Sequence, residues 1–277
     1  MKLSLFLLLF ILLQSKAWSI LNFEDAVAPE IVTSARALAL GNAYLNKVDD
    51  GWAAFYNPAG LGTVRGLQFH IANAHLELNN GLVGLASDGG LTDSLDNFSN
   101  AFDVRELRSL HADNPGKISH ARFQLFPNLT YRGLTLGYLY VQQNRARLRS
   151  LTSDYEVAER TDSGPVIAVN ASLYGGILKF GASAIHLTRK ELQKDFAPTD
   201  PVNIDKNQDV RKGSMTLITA GMRLTLPYKY LPTFSTVLRN SSQTSFDSPE
   251  FAGTPNEIPQ TVAVSYTHLT LPTILLV

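Results

Sequence analysis

Beyond residue 120 apolar and polar residues alternate with a period of two over segments of about ten residues, the spacing of strands with one apolar face. From Arg122, one face reads Phe123, Leu125, Pro127, Leu129 and Tyr131, and the other Arg122, Gln124, Phe126, Asn128 and Thr130. After a tight turn at Tyr131-Arg132-Gly133 the pattern resumes with Leu134, Leu136, Tyr138 and Tyr140 against Thr135 and Gly137. It recurs as Ile167, Val169, Ala171 and Leu173 and, past a hairpin turn at Tyr174-Gly175-Gly176, as Leu178, Phe180, Ala182 and Ala184 against Lys179, Gly181 and Ser183. A further strand sets Ile218, Ala220, Met222, Leu224 and Leu226 against Thr219, Gly221, Arg223 and Thr225, and a short link over 227–232 leads to another at 234–238. The connections 145–164, 190–213 and 240–259 are long and polar. Short and long connections thus alternate, as periplasmic turns and extracellular loops do in a transmembrane β-barrel. An antiparallel sandwich with one wetted face alternates in the same way, so the pattern by itself leaves both architectures open.

Residues 66–120 are less regular. Leu67, Phe69 and Ile71 begin a strand whose alternation decays through Asn73, His75 and Glu77, and Leu82 to Ala86 reads as a return strand. Between Leu91 and His111 the apolar positions Leu95, Phe98, Phe102, Val104, Leu107 and Leu110 are spaced as in an amphipathic helix. Such a helix either caps the barrel or simply buries its stripe on the wall.

The N-terminus has the form of a secretory signal peptide over residues 1–19: Lys2, an apolar run from Leu3 to Leu13, and a cleavage site at Ala17-Trp18-Ser19. The mature protein is expected to start near Ile20, because the apolar run is too short to cross about 30 Å of hydrocarbon as a helix. No later stretch approaches the roughly 18 apolar residues of a spanning helix, so a membrane role would require strands, a surface helix or a lipid. The chain has 0 Cys, which excludes a disulfide scaffold, a lipid-bearing Cys, Cys-ligated metal and a Cys nucleophile. Its formal net charge is +0, and charged residues make up 17%, below the roughly 25% of soluble domains. Neither a nucleic-acid partner nor an acidic tail is therefore indicated.

No catalytic constellation is present in the letters. His70, His75, His111, His120, His186 and His268 are scattered, without the H-E-x-x-H or clustered spacing of a metal site. Gly181-Ala182-Ser183 lacks the closing glycine of a nucleophile elbow. The expectation is a protein that is not an enzyme and takes no cofactor and no metal.

The most specific stretch is SARALALGNAYLNKVDDGWAAFYNPAGLGTVRG, starting at Ser34 and closing at Gly66. Ala35 to Leu45 reads as an Ala/Leu-rich helix, Asp49-Asp50-Gly51 as a turn and Trp52 to Tyr56 as a short apolar segment. Asn57-Pro58 predicts an extended bend, since the residue before proline is pushed out of the helical region. Too short to fold alone, the segment needs a wall to pack on. These letters resemble the N-terminal region of the FadL-type family of outer-membrane transport proteins, with its OmpP1/TodX-like and PorV-related members. The matching positions are Ala35-Arg36-Ala37, Gly41, Ala43-Tyr44, Asp49-Asp50, Ala53-Ala54, Tyr56 and Asn57-Pro58-Ala59-Gly60-Leu61. Departures fall at Asn42, where the family more often has Gly, and at Asn46-Lys47, where small or apolar residues are usual.

The resemblance implies an all-β fold, a transmembrane antiparallel barrel of about fourteen strands with residues 20–65 as a helical plug or hatch inside it. The barrel wall is expected over 66–263. A plug motif is implied at Arg36, Gly41, Tyr44, Asp49, Asp50, Tyr56, Asn57, Pro58, Ala59 and Gly60, and parity makes Arg122, Gln124, Lys179 and Arg223 lumen-facing polar residues. The function it implies is passive uptake of a small hydrophobic molecule of the fatty-acid or hydrocarbon class, in the cell outer membrane. The partners are then outer-membrane lipid, a hydrophobic ligand and the barrel-assembly machinery. A PorV-like barrel that binds protein partners in secretion or surface attachment carries the same motif, and a structural outer-membrane protein is a third alternative. Finally, Val264 to Thr273, VSYTHLTLPT, resembles the translation of a sequencing-library transposase adapter. Residues 264–277 are accordingly expected to be a non-native tail, with genuine sequence ending near Ala263.

Overall fold

In the computed structural model the residues described are 31–83, 102–247 and 250–268. The expected signal segment 1–19 and the positions Leu91, Leu95 and Phe98 lie outside them. Alternation becomes strand at β1 (Gln68–His70), β2 (His75–Leu78), β3 (Ile118–Leu125), β4 (Asn128–Tyr131), β5 (Leu134–Leu148), β6 (Tyr155–Leu173), β7 (Leu178–Phe196), β8 (Val210–Thr225), β9 (Thr233–Arg239), β10 (Glu250–Phe251) and β11 (Thr261–Thr267). All belong to one antiparallel sheet in the order β1-β4-β5-β6-β7-β8-β9-β11, with β2 alongside β3, β3 on β5 and β10 on β8. No described helix is long and apolar enough to cross a membrane. The sheet is not closed into a barrel: β1 and β2 lie at one end and β11 at the other.

Two interruptions have local causes. Phe126-Pro127 parts β3 from β4 without shifting the register on β5, where Leu125 faces Tyr140 and Asn128 faces Gly137. Pro127 has no N–H to contribute, and its carbonyl accepts from the Tyr138 amide at 3.1 Å. Between β1 and β2 the residues 71–74 oppose only 125–127, because His70 pairs with Asn128 and His75 with Gln124. The extra residue is taken up as a bulge around Asn73, whose φ of 44° is left-handed.

The predicted faces hold. Near the short turns Leu129, Tyr131, Leu134, Leu136, Tyr138, Ile167, Val169, Phe180 and Ile218 point outward and are exposed, while Thr130, Thr135, Ala168 and Ser183 point inward and are buried. The turns are those expected: Arg132 and Gly133 have φ of 41° and 91°, and Tyr174, Gly175 and Gly176 have 51°, 68° and 93°. At the opposite, loop end the outer face is covered. There α3 (Val104–Asp113) lays Val104, Leu107 and His111 against Leu148, Tyr155, Val157, Leu192 and Phe196. Its cap is Asp103, which accepts from the Arg105 amide at 2.9 Å, and Tyr155 donates to the Val104 carbonyl at 2.8 Å. The expected amphipathic helix is therefore present over its described part, on the side of the sheet and not across its end.

Three expectations are corrected. The helix expected over Ala35 to Leu45 spans only α1 (Ala35–Ala39), because Gly41 and Asn42 both turn left-handed, at φ 58° and 66°. Residues 80–83 are helical where a return strand was expected, with Asn79 accepting from the Leu82 amide at 2.9 Å; residues 84–86 lie outside those described. The connection 145–164 is largely strand and 190–213 is strand at both ends, since β5, β6, β7 and β8 run on past the apolar zone as polar ladders. Polar side chains there hid the strands from a hydropathy pattern.

Candidate functional site: the N-terminal segment on the inner face

Residues 32–64 cover the inner face of β6, β7 and β8. The helix α2 (Ala53–Tyr56) and the 3-10 turn η1 (Pro58–Thr63) make the contact, and 51–61 are buried throughout. Trp52, Phe55 and Phe126 form an aromatic cluster with centroids 5.0 to 5.8 Å apart. Tyr44 meets Tyr56 edge-on at 5.2 Å, and the Tyr56 hydroxyl accepts from the Ser34 amide at 3.1 Å.

The Asn57-Pro58 bend has a specific seat. Asn57 is extended at φ −161° and ψ 100°, as a residue before proline must be. Its Oδ1 accepts from the Ala59 amide at 3.1 Å and its Nδ2 donates to the Leu45 carbonyl at 3.1 Å, so the bend is tied at both sides. Below it Gly181 of β7 and Gly221 of β8 are direct partners in the ladder. A Cβ at Gly181 would stand 2.1 Å from the Pro58 carbonyl carbon, and one at Gly221 2.3 Å from Asn57 Oδ1. The paired glycines are a notch that lets one backbone lie on another. Around the notch Ser183 donates to the Ala54 carbonyl at 2.5 Å and Asn170 to the Ala59 carbonyl at 3.1 Å. Gly60 is held in the same way, since its Cβ would meet the Val48 carbonyl oxygen at 2.6 Å.

The charged residues of the motif form a second knot. Arg36 Nη1 lies 2.7 Å from Asp49 and 3.2 Å from Asp50, and its guanidinium sits 5.4 Å from the Tyr44 ring centroid. The Tyr44 hydroxyl donates to Asp50 at 3.2 Å, and the Trp52 amide donates to the same carboxylate at 3.0 Å. Burial pushes the Asp50 carboxyl above its ordinary value while Arg36 pulls it down, and burial also pushes the Tyr44 hydroxyl up. The hydrogen bond to Asp49 holds the Arg36 guanidinium above its ordinary value. Gly41 stands apart from this knot, at the left-handed end of α1, and neighbouring Asn42 keeps the conformation that a Gly would adopt more easily. Asn46 is buried and donates to the Thr233 carbonyl at 3.3 Å and Ser265 at 3.1 Å. The strand β11 holding Ser265 runs across the expected junction at 263/264.

The inward polar residues do different work from one another. Arg122 donates to the Ile31 carbonyl at 2.8 Å, and Gln124 is hydrogen-bonded to both the amide and the carbonyl of Thr33, so these two clasp the start of the segment. Lys179 and Arg223 are ladder partners at the turn end, beside each other and not opposite acidic residues of the sheet. Nearer the loops Asp162 and Arg189 form a buried pair, with contacts of 2.7 and 3.0 Å. The sequence places Gly181, Ser183 and Gly221 at inward parity but does not mark them or Asn170 as the seat of the bend; the signal for it is two inward glycines in neighbouring strands.

Two cavities adjoin the segment. One is apolar, about 40 Å3, between Val32, Phe55, Tyr56, Ile185, Leu217 and Ile258. The other is polar, about 550 Å3, beside Arg36, Asp49, Asp50, His70 and His75. No group of His, Asp or Glu among the described residues has the arrangement of a metal site.

Fold and packing together define a mostly antiparallel β protein, with its N-terminal segment on one face of the sheet and a bare apolar zone on the other. No family model, curated protein or solved structure matches the chain.

Proposed function

We propose that this chain forms the wall and plug of an outer-membrane barrel that passes small hydrophobic molecules, of the fatty-acid or hydrocarbon class, by passive uptake. The observation that carries the reading is the inversion of the sheet. Its outer face bears an uncovered apolar zone, and its inner face is polar or filled by the chain's own N-terminal segment. On β6 the outward residues Pro165, Ile167, Val169, Ala171 and Leu173 are all exposed. They extend over about 26 Å of strand at about 3.3 Å per residue, close to the roughly 25 Å apolar band of outer-membrane barrels. In water each such large side chain, about half exposed, forgoes roughly 1 kcal/mol of the burial that lipid would supply. Closure of the sheet requires strands beyond those described, because a bilayer does not accept an open edge.

The apolar cavity of about 40 Å3 is far smaller than the roughly 300–1,000 Å3 of ligand pockets. Passage of a hydrophobic molecule therefore requires the segment at Asn57-Pro58 to leave its glycine notch. The test is conductance in planar bilayers of the barrel-forming protein with and without residues 20–62, alongside uptake of a fatty acid. Removal of the segment is expected to leave an assembled barrel with higher conductance. Unchanged conductance in a folded barrel would remove the plug role and favour a barrel that binds protein partners.

A further inference from the structure

On the outer face, beyond the apolar zone, the ladder changes character in a fixed order. Along β7 the outward residues run Phe180, Ala182, Ala184, then His186 and Thr188, then Lys190; along β8 they run Ala220, Ile218, then Thr216 and Ser214, then Lys212. Lys190 and Lys212 are direct ladder partners. Beside them a cavity of about 540 Å3 is lined by Lys190, Lys212, Thr161 and, from the β7–β8 loop, Lys206 and Asn207.

The loop that brings Lys206 there is organised. Lys194 and Asp209 pair at 2.6 Å, Asp209 accepts from the Asp205 amide at 2.8 Å, and Asp205 accepts from the Asn207 amide at 2.9 Å. Lys194 thus has its carboxylate, while Lys190 and Lys206 have none within ion-pair distance among the described residues. Two carboxylates also line the cavity. Glu191 is committed to the Asn256 amide and side chain at 2.8 and 3.2 Å, and Glu159 lies by Asp103 and Arg105 at the start of α3. Lys212 is also in register with Glu250 of β10. Arg160, at the cavity wall, lies 3.4 Å from Asp162 on the inner face.

We propose that this cavity binds the phosphate head group of a membrane amphiphile whose acyl chains lie on the apolar zone below. Two features point to an amphiphile over a free anion: the lysines continue the same outward rows as the apolar zone, and only threonine, serine and histidine intervene. An ammonium on a four-carbon stem is suited to this boundary, because the stem covers apolar surface while the charge reaches the head group. The inference rests on the membrane reading above.

The test refolds the barrel-forming protein, with the strands that close the sheet, into phosphatidylcholine vesicles with and without phosphatidate, and compares wild type with Lys190→Gln/Lys206→Gln. The expected result is flotation with both kinds of vesicle, with phosphatidate retained at least tenfold more tightly by the wild type than by the double variant. Dissolved inorganic phosphate is expected to compete only weakly. Flotation with both vesicles but no preference for phosphatidate overturns this proposal and leaves the membrane reading intact. Inorganic phosphate binding as tightly as phosphatidate overturns the amphiphile in favour of a free-anion site. Failure to float with any vesicle overturns the membrane reading itself. The single variant Lys206→Gln, in a loop outside the ladder, keeps the test valid if the double variant does not fold; an unaltered preference for phosphatidate in it counts against the site.

Discussion

At Gly181 a single hydrogen decides where the N-terminal segment lies. Adding a methyl group brings a carbon to 2.1 Å from Pro58 backbone, which no side-chain rotation relieves. Gly181→Ala is expected to weaken docking of the segment by about 1–3 kcal/mol, the usual cost of overpacking a close-packed contact. Gly66→Ala is the control, since a Cβ there meets nothing within 4 Å. Buried Trp52 reports the docking, so the check is the urea midpoint of its emission in detergent-solubilised protein. Equal midpoints for the Gly181 and Gly66 variants would contradict the notch. Legibility at this scale divides on backbone against side chain. The bend at Asn57-Pro58 could be read from the letters, because proline restricts its neighbour in any context. The notch could not, because Gly181 and Gly221 become partners only through the β7–β8 register.

Among the elements, the strands near the short turns were readable because apolar exposed residues and inward residues alternate over Leu129 to Tyr131 and again over Leu134 to Tyr138. The loop ends of β5 to β8 were not, since their outward residues are partly polar and partly covered by α3. The early end of α1 has the same cause at smaller size: Ala and Leu favour helix, but Gly41 and Asn42 turn the chain. Docking of α3 is expected to depend on pH. His111 is buried beneath it, with its Nδ1–H donating to the Leu107 carbonyl at 2.7 Å, and burial lowers its pKa below the ordinary 6.5. The unfolded helix therefore binds the proton more readily than the docked one, so stability from this group is present above about pH 6.5 and is lost as pH falls toward the lowered value. With Glu159→Gln as background, which removes the buried carboxyl beside Asp103 and Arg105 at the start of α3, hydrogen exchange of the α3 amides is expected to speed up from pH 7 to pH 5 relative to the intrinsic rate, and His111→Gln is expected to flatten that dependence. A pH-independent opening of α3 in that background with His111 intact would contradict it.

For the whole molecule the central claim is that the bare apolar zone faces lipid. The N-terminal motif and the strand alternation were both legible in sequence, but their relation was not: that the motif lies on one side of the sheet and the apolar rows on the other depends on long-range register. The chain has 0 Cys, so single cysteines are unique probes of that relation. Leu136, Ile167 and Ile218 are 44%, 46% and 37% exposed, enough to react freely if water covers them. The decisive measurement is labelling by a membrane-impermeant maleimide of single-cysteine variants at these positions, in the barrel-forming protein with its closing strands refolded with lipid vesicles, against Thr152→Cys and Asp200→Cys in the loops. The account predicts rapid labelling of the two loop cysteines and protection of the three apolar-zone cysteines, which react once urea unfolds the chain. Labelling of Leu136→Cys, Ile167→Cys and Ile218→Cys at the loop rate in vesicle-bound, folded protein would contradict it.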